Sequence, residues 1–265
     1  MSDALARLRA AGVPDPEGDL RRLRRAFDGA GLDEAVARRA AREPVSHILG
    51  RRAFWAHEFE VTPDVLDPRP ETETLVEAAL EGELTTVLDL GTGSGCILLS
   101  LLAARPEAQG LGTDISEAAL AVARRNAEAL GLAARATFRR ADWLSGIDGA
   151  FDLIVSNPPY IAAAEMAGLS PEVLREPHAA LTPGGDGLDA YRVIARDAPA
   201  RLAPGGRLMV EIGPTQADPV QDLFRQAGLA DLRVQTDLDG RNRVVCGKIP
   251  RQAHYSTCIR PFRHP

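Results

Sequence analysis

Asn157-Pro158-Pro159-Tyr160 follows directly on the apolar run Phe151–Ser156, and no other stretch of the 265-residue chain constrains the fold as much. Neither proline has an N–H to donate and each fixes φ near about −65°, so a sheet cannot continue through them. The first proline also pushes Asn157 out of the helical region. A buried strand therefore ends at Ser156, with an asparagine held extended at its carboxyl end. In open α/β sheets ligands bind at that edge. The side-chain oxygen of Asn157 and the free carbonyl of Pro158 offer two acceptors, a pair suited to a substrate –NH₂ group with two hydrogens to donate. Tyr160 is expected to wall the site with an amphipathic ring. The competing reading is a proline-capped strand with a surface asparagine. The strand before the prolines and the aromatic after them favour a binding site.

The rest of the chain supplies the partners of that strand. Short apolar segments are expected at Thr86–Leu90, Gly110–Thr113, Ala136–Arg139, Arg207–Ile212, Leu232–Thr236 and Arg243–Gly247, with helices at Cys96–Ala104 and from the N-cap Ser116 to Leu130. Strands alternating with helices of this length predict a doubly wound, mostly parallel seven-stranded α/β sheet over residues 71–247. Before it, residues 1–50 read as a small helical domain. Leu5, Leu8 and Val13, then Leu20, Leu23 and Phe27, then Leu32, Val36 and Ala40 recur at helical spacing, with Pro14, Pro16 and Gly31 as breaks. Residues 51–70, with Phe54, Trp55, Phe59 and Val61, predict a β-hairpin linker. Pro70, with Glu71 and Glu73 behind it, opens the next helix. Residues 248–265 show no periodicity and read as an irregular tail.

Asp89-Leu90-Gly91-Thr92-Gly93-Ser94-Gly95 joins the first strand of the sheet to its helix. Glycines there permit a tight turn and close approach of a ligand to the backbone. The spacing is not that of a dinucleotide fingerprint, because Cys96 stands at the sixth place, and no Gly-Lys-Ser/Thr marks a phosphate loop. A less phosphorylated ligand is implied. Asp114, at the end of the second strand, is placed to accept from ribose hydroxyls, although a helix-capping role competes. Asp142 and Trp143, beyond the third strand, are placed to take an exocyclic amine and to flank an adenine ring.

Composition narrows the function. A net charge of −6 argues against broad binding to a phosphate backbone. Arg21, Arg22, Arg24 and Arg25 form a basic stripe, diluted by neighbouring acids, that reads first as a solvated helix face. Cys96, Cys246 and Cys258 lack metal spacing and suggest a reducing compartment without structural disulfides. No apolar run reaches membrane-spanning length, and the N-terminus lacks a basic-then-apolar signal pattern, so a cytoplasmic location is expected.

Taken together, the glycine loop, Asp114, Asp142-Trp143 and the Asn-Pro-Pro-Tyr motif resemble an S-adenosyl-L-methionine-dependent methyltransferase of the amino-methylating group. Pro44-Val45-Ser46-His47-Ile48-Leu49-Gly50, Pro68-Arg69-Pro70-Glu71-Thr72-Glu73 and Glu211-Ile212-Gly213 extend the likeness to the release factor glutamine methyltransferases. The resemblance covers about residues 5–247. It implies a Rossmann-like class I methyltransferase fold. It also implies S-adenosyl-L-methionine held by Gly91, Thr92, Gly93, Ser94, Gly95, Asp114, Asp142, Trp143 and Asn157. The substrate, the glutamine of a Gly-Gly-Gln tripeptide in peptide chain release factors, would sit on Asn157, Pro158, Pro159 and Tyr160, with Asn157, Pro158 and Tyr160 catalytic. No metal, stable nucleic-acid partner or membrane is implied. His178, on the long segment after Ile161, reads as structural. Asp67 departs from the apolar residue the family has there, leaving its carboxylate either in solvent or perturbing the loop. Methylation of a ribosomal-protein glutamine or of DNA adenine through the same motif, and a donor- or release-factor-binding module without turnover, are the competing readings. The acidic charge counts against DNA and the intact Asn157 and glycine loop count against the inert module.

Overall fold

The computed structural model describes residues 3–250. The first four helices are Asp3–Ala10 (α1), Pro16–Ala26 (α2), Gly29–Ala40 (α3) and Val45–Leu49 (α4). Pro16 occupies the first turn of α2, where its missing N–H costs nothing, and the Asp15 side chain caps the helix by accepting from Gly18 N at 2.9 Å. Leu8, Val13, Leu20, Leu23, Val36 and Ile48 form the centre of a separate apolar cluster. Gly31 does not break the chain as the sequence suggested. The break falls at extended Phe27 and Asp28, and Gly31 lies inside α3. The basic stripe is exposed on α2, with Arg22 paired to Asp19 at 2.6 Å.

Arg51–Phe54 (β1) and His57–Glu60 (β2) pair antiparallel as a hairpin. Phe54 and Phe59 pack edge to face at 6.1 Å and are fully buried, which pins the hairpin to the larger core. Pro70–Thr72 makes a single 3₁₀ turn, and the regular helix Glu73–Leu80 (α5) starts three residues later than Pro70 suggested.

The sheet follows as Thr86–Leu90 (β3), Cys96–Ala104 (α6), Gln109–Asp114 (β4), Glu117–Ala129 (α7), Ala136–Arg140 (β5) and Phe151–Ser156 (β6). After the long segment 161–188, which carries the short helix His178–Leu181 (α8), come Asp189–Asp197 (α9), Leu202–Glu211 (β7), Ala217–Gln226 (α10), Ala230–Thr236 (β8) and Asn242–Lys248 (β9). The strand order is β5-β4-β3-β6-β7-β9-β8, parallel except for β9, which runs antiparallel to both neighbours. β7 begins five residues earlier than expected, because the Pro204-Gly205-Gly206 turn forms an irregularity within the strand rather than a loop before it. β9 reaches Lys248, the first residue assigned to the tail, and residues 251–265 of that tail, with Cys258, lie outside the described residues.

Alternation distributes the core. Leu153 and Val155 of β6 point to the face covered by α5 and α6, whereas Ile154 points to the face covered by α9 and α10. α6 is apolar on nearly every side, consistent with its burial from Cys96 to Leu102. Among the described residues no helix is long and apolar enough to cross a membrane.

One acidic residue ties the first helices to the sheet. Glu172, on the segment after β6, accepts from Arg42 Nε and Nη2 at 2.6 Å each and from Arg39 Nη1 at 3.0 Å. Burial alone would raise its carboxyl, but these arginines hold it at about 2, below the ordinary 4.5. Its stabilising contribution is therefore complete above about pH 4.5 and drains away as pH falls toward about 2. Glu172→Ala leaves Arg39, 5% exposed, with Asp19 as its remaining carboxylate at 2.7 Å. Breaking a buried pair costs about 3–5 kcal/mol, and the surviving Asp19 places the expected loss at the low end. Denaturant unfolding of the wild type and the variant at neutral pH measures it, and equal midpoints would show that the pair does not hold the helices.

Candidate active site

A cavity of about 620 Å³ opens at the carboxyl ends of β3, β4 and β6. Its floor is the glycine loop. Gly91 and Gly93 have φ of 68° and 55°, and a Cβ on either would meet nothing within 4 Å. The loop thus opens to the cavity where side chains would stand. Gly95 is different. A Cβ there would meet Leu99 at 3.1 Å and Ala123 at 3.2 Å, so this glycine lets the loop pack on α6 and α7 and does not line the cavity.

The loop is braced by two acids. Asp114 Oδ2 accepts from Gly93 N at 3.0 Å and Oδ1 from Ser116 N at 2.9 Å. Each oxygen retains a lone pair, so capping and ligand binding are compatible. Burial raises the Asp114 carboxyl, and the amides it holds pull the other way. Asp89 lies fully buried beneath the loop, where desolvation pushes its carboxyl up to about 7 against the 2.6 Å hydrogen bond from Thr92 Oγ1. Thr92 and Ser94 line the cavity above it.

Val65, Ile97, Ile115 and Trp143 give the cavity apolar walls, with Asp142 beside the indole. Trp143 has a φ of 50°. That left-handed conformation is a true outlier for a bulky residue and persists only where its surroundings enforce it.

The Asn-Pro-Pro-Tyr segment contributes alternate residues. Asn157 and Pro159 line the cavity, whereas Pro158 is buried and Tyr160 packs with the core under α9 and α10. An extended chain sends successive side chains to opposite sides, which is why the expected wall of Tyr160 lies behind the site. The Tyr160 hydroxyl sits 3.5 Å from Glu211 Oε1, and burial raises its pKa. Asn157 Nδ2 donates to Thr72 Oγ1 at 3.1 Å. Neither Asn157 Oδ1 nor the Pro158 carbonyl accepts a hydrogen bond among the described residues.

The structure also places two residues singled out beside the motifs. His178 opens α8 on the cavity wall with Pro177, Ala179 and Ala180, because the segment after β6 folds back over the strand ends. Asp67 is 5% exposed and lies 3.7 Å from the Arg52 guanidinium, while its N–H donates to Glu176 Oε2 at 3.1 Å. The carboxylate is thus not left in solvent: Oδ2 faces the hairpin's Arg52, and Oδ1 is buried without a hydrogen-bond partner among the described residues. Val65, Thr72, Ile97, Ile115 and Glu211 were not singled out from the sequence as site residues. Thr72 and Glu211 stood inside motifs quoted for the family, which was the available signal.

The Methyltransferase small domain model matches residues 66–188. A release factor glutamine methyltransferase of Cereibacter sphaeroides is 55% identical over 267 residues, covering 93% of this chain and 96% of that protein. The one from Rhodospirillum rubrum is 48% identical, covering 91% of this chain and 82% of that protein. The chain belongs to the release factor glutamine methyltransferase family. Among solved structures, the hMettl16 catalytic domain in complex with the MAT2A 3′UTR hairpin 6 superposes with a TM-score of 0.62 over 83% of each chain at 18% identity, a likeness of fold. In this family member, the cavity is lined by residues of the Pro68–Glu73 segment, the glycine loop, Asp114, Asp142-Trp143 and Asn157-Pro158-Pro159-Tyr160, whereas Pro44–Gly50 packs among the first helices.

Asp114→Ala removes the acceptor of both the Gly93 and Ser116 amides. Hydrogen bonds to charged groups are worth about 1.5–3 kcal/mol, so hydrogen exchange at both amides should accelerate by at least about tenfold. Unchanged protection at the two positions would show that the loop does not lean on Asp114.

Proposed function

We propose that this protein transfers a methyl group from S-adenosyl-L-methionine to the side-chain amide nitrogen of the glutamine in the Gly-Gly-Gln tripeptide of peptide chain release factors. The observation that carries this reading is the geometry of Asn157. Its amide donates to Thr72, and Oδ1, on a residue that lines the cavity, has no partner among the described residues. The names of the relatives supply the substrate class.

The residues present fit the donor. Open space over Gly91 and Gly93, the spare lone pairs of Asp114 and the apolar faces of Ile115 and Trp143 suit a nucleoside carrying a small zwitterionic chain. When bound, it supplies an electrophilic methyl group on a positively charged sulfur. Asp114 would hold the ribose hydroxyls, and Trp143 with Asp142 would hold the adenine.

The chain's own task is to make an amide nitrogen reactive. That nitrogen is a poor nucleophile because its lone pair is delocalised into the carbonyl. Asn157 Oδ1, accepting one N–H, orients the nitrogen and favours its rehybridisation; the Pro158 carbonyl is the second acceptor in this reading. Such positioning lowers barriers by about 7–11 kcal/mol in favourable cases. Acceptor dipoles facing the positive charge that develops on nitrogen add electrostatic stabilisation. No base is needed before attack, because the nitrogen becomes acidic only once it carries the extra substituent.

Asn157→Ala should abolish transfer while leaving affinity for S-adenosylhomocysteine within about threefold. Asp114→Ala should instead weaken that affinity by about one to two decades. Calorimetry beside a mass-spectrometric assay on intact release factor separates the two. Wild-type protein that leaves the glutamine unmethylated, or an Asn157→Ala variant that turns over normally, would sink the reading.

A further inference from the structure

The glutamine methylated in the proposed reaction follows two glycines, which have no side chains to grip. The cavity therefore recognises one side chain, and affinity for a whole protein must come largely from surface outside it. Buried aromatic anchors supply most of the energy at such surfaces. One exposed aromatic stands beside the site.

β1 and β2 are joined by the two-residue turn Trp55-Ala56, between the paired Phe54 and His57. The buried Phe54 and Phe59 anchor the stem, so the tip is carried on a rigid base. Trp55 at that tip is nevertheless 38% exposed, and Ala56 beside it is exposed too. The Trp55 backbone N–H donates to Glu73 Oε1 at 2.8 Å. Glu73 follows Thr72, which lines the cavity and accepts from Asn157 Nδ2 at 3.1 Å. A carboxylate and one peptide unit thus link Trp55 to the residue that holds Asn157, although the indole does not itself line the cavity.

Charge on the adjoining start of α5 selects the kind of partner. Glu71 and Glu77 are exposed, and Glu73 and Glu77 share a helix face one turn apart. Among the described residues no arginine or lysine pairs with any of these three acids. Glu58, on the hairpin itself, is by contrast paired with Arg51 at 3.3 Å. An exposed indole beside unpaired carboxylates suits a cationic side chain, which can stack on the ring and meet the acids as well.

We propose that Trp55, with the adjoining acidic start of α5, is the surface on which a basic segment of the release factor docks while its Gly-Gly-Gln tripeptide enters the cavity. The inference rests on the reaction proposed above and adds where the protein substrate is gripped. Because this contact is remote from the reacting atoms, it holds ground state and transition state equally and governs KM rather than kcat.

Steady-state methylation of intact release factor tests it. Trp55→Ala should raise KM by about 10–100-fold, as loss of a tryptophan anchor does, with kcat and S-adenosylhomocysteine affinity within about twofold of wild type. Trp55→Phe keeps an aromatic face and should recover most of the lost affinity. Glu77→Gln should raise KM less and flatten its dependence on salt. Should Trp55→Ala fail to fold, Trp55→Gly carries the test, because the φ of 53° at this position is one that glycine adopts freely. An unchanged KM, or a loss confined to kcat, would overturn the docking surface while leaving the proposed reaction intact, whereas an inactive wild type would overturn both. Acrylamide quenching of Trp55, read as the difference from Trp55→Gly, names the occupant. Protection on adding release factor supports the assignment. A gain in quenching when residues 251–265 are removed, or protection that grows with the concentration of this protein alone, would assign the surface to the chain's own tail or to a second copy and overturn it.

Discussion

The position of β6 between two parallel neighbours is the constraint on which the site depends. Paired to β3 on one side and β7 on the other, the strand cannot slip without turning Leu153, Ile154 and Val155 to the wrong faces of the sheet. Ser156 Oγ donates to Leu90 O at 2.7 Å and fixes the carboxyl end of β6 against the start of the glycine loop. The prolines then stop the pairing. What is brought to the cavity is measured from that point: the loop from β3 and the acid at the end of β4. A parallel sheet puts all of these ends on one edge, which is why residues more than a hundred positions apart meet there.

That edge is also where charge is stored out of water. Asp89 and Glu211 are both fully buried and both pushed to about 7 for the same reason, desolvation, and one oxygen of each has no hydrogen-bond partner among the described residues. Asp89 is held by Thr92 within its own loop. Glu211 accepts only the long contact from the Tyr160 hydroxyl, at 3.5 Å, among the described residues. The first arrangement stiffens a turn, and the second sets the chain after β6 against the end of β7. A buried carboxylate is expensive unless its environment is organised around it, so both mark places where stability has been given up for geometry.

How much of this was legible in the sequence follows the same division between local and long-range causes. β3 and β6 and their flanking helices were legible because period, caps and breakers are local. Ser116 caps α7 by accepting from Ala119 N at 3.2 Å, as its position before an apolar periodic segment implied. The glycine loop and Asn157 were legible for the same reason. Gly31 misled because the apolar periodicity of Leu32 and Val36 carries α3 through it, and packing outweighs the modest cost of a helical glycine. The retreat of Tyr160 and Pro158 from the cavity follows from alternation and could have been deduced. The burial of Asp67 could not, since its partner Arg52 and the Glu176 that takes its N–H are supplied by the fold alone.

Arginine carries the long-range connections. Glu172 and Glu176, at the two ends of the 3₁₀ turn Val173–Arg175, are gripped by different parts of the chain: Arg39 and Arg42 of α3 and its C-terminal turn hold the first, Arg69 and the Asp67 amide hold the second. Arg175, between them, donates to the carbonyl of Ala41. A lysine at Arg42 would present a single point charge where the guanidinium meets both oxygens of Glu172 at once. The next residues, Pro177 to Ala180, form part of the cavity wall. Only the four residues 173–176 of backbone thus separate the carboxylate held by the first helices from the wall of the cavity.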